Sequence, residues 1–175
     1  YSTSSDINRY DRLTDVNSAG KLRNAQWYYG PQKRLFVSNT LQLSNATIMY
    51  DKFRLILGYQ DIEESRHNRS FGSSTLSHRI EKVKVYSLNL DLQKKIGINE
   101  LSYGLEATYN EVNSKANSEN ITTGESKIID TRYPNGGSTM STYAAYLTDH
   151  IELSKKLILS GGLRFTHTSL TSKFD

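Results

Sequence analysis

The chain has 175 residues, no cysteine and a net charge of +4 at a sequence pI ≈ 9.2. At 36% hydrophobic content and a mean hydropathy of -0.60 it holds no apolar run near the roughly 18 residues of a membrane helix. The missing cysteines exclude a disulfide framework and a thiolate metal site, and the interspersed charges speak against a nucleic-acid surface.

Tyr1 to Leu13 is polar with weak alternation and reads as the upper end of an extended strand. Thr14 to Asn24 carries Asp15, Asn17, Ser18 and Gly20 and reads as a loop. Ala25 to Ser44 is one long extended run. Leu35, Val37, Leu41 and Leu43 share a parity against Phe36, Ser38, Thr40 and Gln42. Gly30-Pro31 interrupts it, and a proline cannot donate to a ladder, so a bulge belongs there. After a short turn at 45–51, Phe53, Leu55, Leu57 and Tyr59 alternate with Arg54, Ile56, Gly58 and Gln60. The charged stretch Glu63 to Arg69 leads to SFGSSTLS at 70–77, a loop by composition. Arg79 to Gln93 alternates again, with Tyr86, Leu88, Leu90 and Leu92 on one side. Lys82 and Lys84 fall on that same parity, so either the strand has left apolar surroundings there or a bulge shifts its phase. A short turn at 94–99 precedes Leu101, Tyr103, Leu105, Ala107 and Tyr109. Val112 to Thr139 is the longest irregular stretch. Thr142 to His167 is a hairpin about Ser154-Lys155-Lys156, and Thr168 to Asp175 trails off.

The expected fold is all-β: about seven antiparallel strands of a transmembrane β-barrel. Two features carry that expectation. The connections alternate long (14–24, 70–78, 113–139) and short (45–51, 94–99, 154–156), as outer-membrane barrels alternate extracellular loops with periplasmic turns. The polar parity also carries mid-strand charges: Arg54, Asp91, Glu106 and Arg164. Unpaired in the dry core of a sandwich they would be very costly, whereas in a wide barrel they line water. Seven is odd and single-chain bacterial barrels are even-numbered, so the chain is expected to be part of a larger barrel. The alternative is a soluble all-β binding module, such as a carbohydrate-binding or adhesin-like sandwich.

The runs TSSDINRYDRL (Thr3 to Leu13), AQWYYGPQKRLF (Ala25 to Phe36) and GYQDIEESRHNRSF (Gly58 to Phe71) resemble the barrel of TonB-dependent outer-membrane receptors, in the style of the Bacteroidetes; SGGLRFTH (Ser160 to His167) resembles a recurrent strand of that family. The resemblance implies a barrel of about 22 strands in the bacterial outer membrane, occluded by a plug domain. It further implies import of a small iron-containing ligand, such as a ferric siderophore or haem, driven by the TonB–ExbB–ExbD complex. The implied partners are outer-membrane lipid and the plug. The residues 1–175 would then be a middle section of barrel, without plug or TonB box.

No Gly-x-Ser-x-Gly, P-loop or His-Glu-x-x-His spacing occurs, so hydrolase, NTPase and zincin chemistry has no support, and no cofactor is implied. The reading is a transporter rather than an enzyme, with no catalytic residues. His67 and His78 flank one loop and could meet near its base to ligate haem iron. Trp27, Tyr28 and Tyr29 could stack on a flat ligand, or form an aromatic belt or rim. His150 and His167 lie too far apart along their hairpin to share a metal.

Overall fold

A computed structural model describes residues 1–174. Its elements are β1 (Ser2–Thr3), β2 (Ile7–Asn8), α1 (Tyr10–Leu13), β3 (Asn24–Tyr29), β4 (Lys33–Leu43), β5 (Lys52–Ser70), β6 (Thr75–Ile96), β7 (Asn99–Asn120), β8 (Ser126–Ile128), β9 (Ser138–Ser154) and β10 (Leu157–Ser172). All strands belong to one antiparallel sheet with the path β1-β4-β5-β6-β7-β9-β10. No described helix is long and apolar enough to cross a membrane.

The run from Ala25 to Ser44 is one strand broken at Gly30-Pro31-Gln32. Tyr29 stands opposite Arg66 and Lys33 opposite Glu63, so three residues face two and the bulge falls at the proline. Beside it, β1 and β2 pair with β4 and β3, which makes residues 1–8 the expected extended edge. Tyr10 to Leu13, however, turns into a short helix rather than continuing as strand.

Three other boundaries differ from expectation, for one reason. The stretch 70–78 is no long loop: β5 and β6 run on to a four-residue turn at 71–74, with Gly72 at φ 77. Likewise β7 continues to Asn120, nine residues into the stretch expected to be irregular, and β10 continues to Ser172. These extensions are mostly polar on both faces. Their pairing comes from backbone ladders and from charges facing across strands, neither of which leaves a hydrophobic period. The alternation of connections holds for side but not strictly for length. At the lower end lie 44–51, 97–98 and 155–156, and at the upper end 9–23, 71–74 and 121–137. Gly97 at φ 61 fills the first central position of its two-residue hairpin, where a type II′ turn requires it.

The register sorts the side chains into two faces. On one, Phe53, Leu92, Tyr103, Leu147 and Leu163 form a row; Leu55, Leu90, Leu105, Ala145 and Phe165 form the next. No second layer covers this face. Leu105 is 51% exposed, Phe165 71% and Leu163 81%, and the buried apolar residues are Ala116 and Ala144 alone among those described. A sandwich would bury such rows against a partner sheet, so the soluble binding-module alternative does not fit. Aromatic rings bound the apolar zone. Tyr59, Tyr86 and Tyr109 stand side by side above it, at centroid spacings of 5.2 and 6.2 Å, and Tyr50 and Phe53 meet at 5.6 Å below.

The apolar zone runs obliquely to the hydrogen-bond rows. The row through Tyr59, Tyr86 and Tyr109 starts at Val37 on β4 and ends at Ser141 and Ser169 on β9 and β10. Leu35 extends the zone upward on β4, while Ile151 and Leu159 extend it downward at the other side. A level hydrocarbon slab crossed by tilted, staggered strands produces this slant.

Above the tyrosines, β5 and β6 carry charge on the same face. Lys82 and Lys84 sit there with no register shift in the β5–β6 ladder, so the strands have left apolar surroundings and no bulge is involved. Glu63 accepts from Lys82 at 2.7 Å and from Lys33 at 2.9 Å. The two ammonium groups, Lys82 first, hold its carboxyl below the ordinary value of 4.5. A depressed acid contributes stability above its ordinary pKa and loses it as pH falls through the lower folded value. Glu63→Gln is therefore expected to flatten the acid limb of the melting temperature below about pH 4.5 and to leave the neutral range little changed; thermal melts across a pH series check this.

Candidate functional site

The polar face at the height of the apolar rows holds two side-chain networks. Each spans three strands by passing over a small residue. Asp91, Gly104 and Tyr146 are register neighbours on β6, β7 and β9. The Tyr146 ring crosses Gly104 and donates its hydroxyl to Asp91 Oδ1 at 2.5 Å. A Cβ on Gly104 would stand 2.1 Å from the Leu90 carbonyl oxygen and 2.7 Å from the Tyr146 ring, so the crossing exists because the position is glycine. One row up, Glu106, Ala144 and Thr166 are neighbours. Arg164 reaches across buried Ala144 and donates both terminal nitrogens to Glu106, at 3.0 and 2.5 Å. This fork-on-carboxylate geometry fixes the guanidinium plane as well as its charge. Arg54, Asp91, Glu106 and Arg164 thus share one face, as their parity implied.

Higher on the same face, Glu64, Glu81 and Ser114 form a row. Glu81 is 7% exposed and Ser114 3%, and each keeps a buried oxygen with no hydrogen-bond partner. Gln32 donates to Glu64 at 2.7 Å. Only the register brings these groups together; no motif in the sequence announces them.

At the upper rim the five residues singled out as ligand candidates divide between the two faces. Trp27 and Tyr29 lie on the polar face, opposite Asn68 and Arg66. Arg9, at the head of the short helix, folds back over both: its guanidinium lies 5.3 Å from the Trp27 ring centroid and 5.5 Å from that of Tyr29. It donates to the Tyr29 hydroxyl at 2.7 Å and to both Asp11 oxygens at 2.7 Å. Arg66 covers Tyr29 from another side at 5.1 Å. The result is a rim of flat rings and delocalised cations. Arg9 had no sequence signal, because its part depends on residues 1–13 returning along β3.

Tyr28, His67 and His78 lie on the opposite face. His67 and His78 are direct register partners, with Nδ1 atoms 2.6 Å apart, and Tyr28 stacks on His67 at 4.6 Å. Burial, and then the neighbouring His78, lower the His67 pKa; burial likewise raises that of the Tyr28 hydroxyl. The two histidines do meet, but directly and not beneath a long loop. They stand apart from Trp27 and Tyr29, so the five residues do not line one pocket. His150, held by Ser160 at 2.7 Å, and His167 are on different strands and opposite faces.

The family model "TonB dependent receptor-like, beta-barrel" matches residues 1–175. Among solved structures, the copper transporter OprC is similar at a TM-score of 0.64 and 16% identity over 83% of this chain; at that identity the likeness concerns the fold. The chain spans 23% of the length of that structure. Among curated proteins there is no match. With an apolar face bounded by tyrosines, a polar face carrying ion pairs, and this match along its whole length, the chain belongs to the TonB-dependent receptor β-barrel family and is wall of a barrel in the bacterial outer membrane.

Proposed function

We propose that these residues are a middle section of a plugged barrel of about 22 strands, and that the whole receptor imports a scarce ligand such as a ferric siderophore or haem. The observation that carries the reading is the two-sided wall: at one height, uncovered leucine and phenylalanine rows on one face, and Asp91, Tyr146, Glu106 and Arg164 in bonded networks on the other. The outer rows hold the barrel in lipid. The networks line an aqueous interior, where they meet water or the plug. Trp27, Tyr29, Arg9 and Arg66 form the inner lip over which a flat anionic ligand stacks, and Glu64 and Glu81 offer acceptors just below it. Strands from outside this stretch close the sheet, since β10 pairs with β9 alone and unpaired backbone in hydrocarbon costs several kcal/mol per group. That one solved relative in fold is named a copper transporter supports a metal-bearing cargo more broadly than iron alone.

The test is uptake by cells carrying the full-length receptor as their sole member of the family. Haemin, a ferric catecholate, a ferric hydroxamate and Cu2+ are supplied separately, with and without the TonB system. TonB-dependent accumulation of haemin or a ferric chelate is expected. Accumulation of none, or uptake that persists without TonB, would overturn the proposal.

A further inference from the structure

On the apolar parity but far above the tyrosine girdle, His67 and His78 turn their Nδ1 atoms toward each other at 2.6 Å. His67 Nε2 lies 2.9 Å from Ser65 Oγ, while the buried His78 Nε2 has no hydrogen-bond partner and stands 3.6 Å from Glu119 Oε2, an ion-pair distance. The Glu119 carboxylate can only accept, so it favours a proton on His78 Nε2 and leaves Nδ1 of that ring bare. Ser65 accepts equally well from His67 Nε2-H. With a proton on one Nδ1 the contact is a hydrogen bond; with both protons on Nε2 the two lone pairs face each other, and a cation between them takes the place of that proton. Metal-ligating histidines donate their outward N–H to a carboxylate or other oxygen acceptor, and Ser65 and Glu119 stand beside these two outward nitrogens.

The pocket for it is preformed. Tyr28 stacks on the His67 ring and fixes its plane. Gly30 supplies the room: a Cβ there would stand 2.1 Å from Ser65 Oγ and 2.9 Å from His67 Nε2. Around a tetrahedral metal at about 2.0–2.1 Å, two nitrogen donors stand about 3.3 Å apart, so the rings need open by less than about 1 Å. No group of three or more His, Cys, Asp or Glu is placed to hold a metal among the described residues, which leaves the other positions to water or an incoming donor.

We propose that His67 and His78 chelate a borderline divalent cation, Zn2+ or Cu2+, through their Nδ1 atoms. Ser65 and Glu119 act as positioning residues. Imidazole pairs suit these ions over Mg2+ or Ca2+, which take oxygen. The site joins β5 to β6 on the face turned away from the lumen, so it stands whether or not the imported cargo is the one proposed above. It clips the upper hairpin rather than lying on the transport path.

The test uses the untagged full-length receptor in detergent, with CuCl2 and ZnCl2 as probes. Cu2+ electron paramagnetic resonance is expected to show superhyperfine coupling to two imidazole nitrogens in the wild type and to lose it in His67→Gln and in His78→Gln, while His150→Gln keeps it. Zn2+ calorimetry should find one bound ion fewer in the double variant, and about 10-fold weaker binding in Glu119→Gln with stoichiometry intact. Heat-modifiable migration of each variant confirms a folded barrel. Unchanged spectra and stoichiometry in folded His67→Gln and His78→Gln would overturn the site.

Discussion

Arginine in place of Leu105 is expected to cost about 2–4 kcal/mol of folding free energy into a bilayer, the range for a cation at the midplane of a barrel's lipid face. Leu105 sits in the second of the apolar rows, flanked by Leu90 and Ala145, with the tyrosine row two positions above and a charged row two below. Its chain neighbour Glu106 points the other way. Glu106→Gln keeps an acceptor for Arg164 and is expected to cost within about 1 kcal/mol, as half-exposed ion pairs generally do. Reversible urea unfolding of the full-length receptor in lipid vesicles measures both. Equal penalties at 105 and 106 would mean the face assignment is wrong, whatever the strand pattern.

The second large effect is expected at Gly104. Valine there drives its Cβ into the Leu90 carbonyl and displaces the Tyr146 ring that bonds Asp91. Overpacking of this kind costs about 1–3 kcal/mol. The companion variant Tyr146→Phe keeps the ring and drops one hydrogen bond to a carboxylate, costing about 1–3 kcal/mol with the acceptor left part-buried. In the double variant Gly104→Val/Tyr146→Ala, the ring clash disappears while the backbone clash stays. The combined cost should fall short of the sum of Gly104→Val and Tyr146→Ala measured singly, a coupling read from the cycle. Additive costs would show that Tyr146 does not lie over Gly104.

What could be read in advance follows from what leaves a period in the chain. Leu101, Tyr103 and Leu105 against Ser102, Gly104 and Glu106 disclose a strand and its two faces, and the proline at 31 discloses a bulge, because both rest on local stereochemistry. The belt tyrosines were visible as a type but not as a row, since Tyr59, Tyr86 and Tyr109 meet only once register is set. The strand tops were not visible. Glu63 to Asn68 pairs with Ser77 to Lys82 through side chains that are mostly charged or hydroxylic, and composition alone reads 70–77 as loop. The candidate site was legible in part. His67 and His78 could be expected to meet because they flank one turn. That Trp27 and Tyr29 face away from them depends on how the Gly30-Pro31 bulge sets β3 against β5, and Arg9 on how residues 1–13 fold back.

The path of the sheet carries a lesson for assembly. From β4 to β10, long strands that follow one another in the chain are hydrogen-bonded neighbours, across connections as short as two residues. Closing such short gaps costs little chain entropy. A sheet of this kind can be laid down one hairpin after another, each newly added strand offering its free amides as the template for the next.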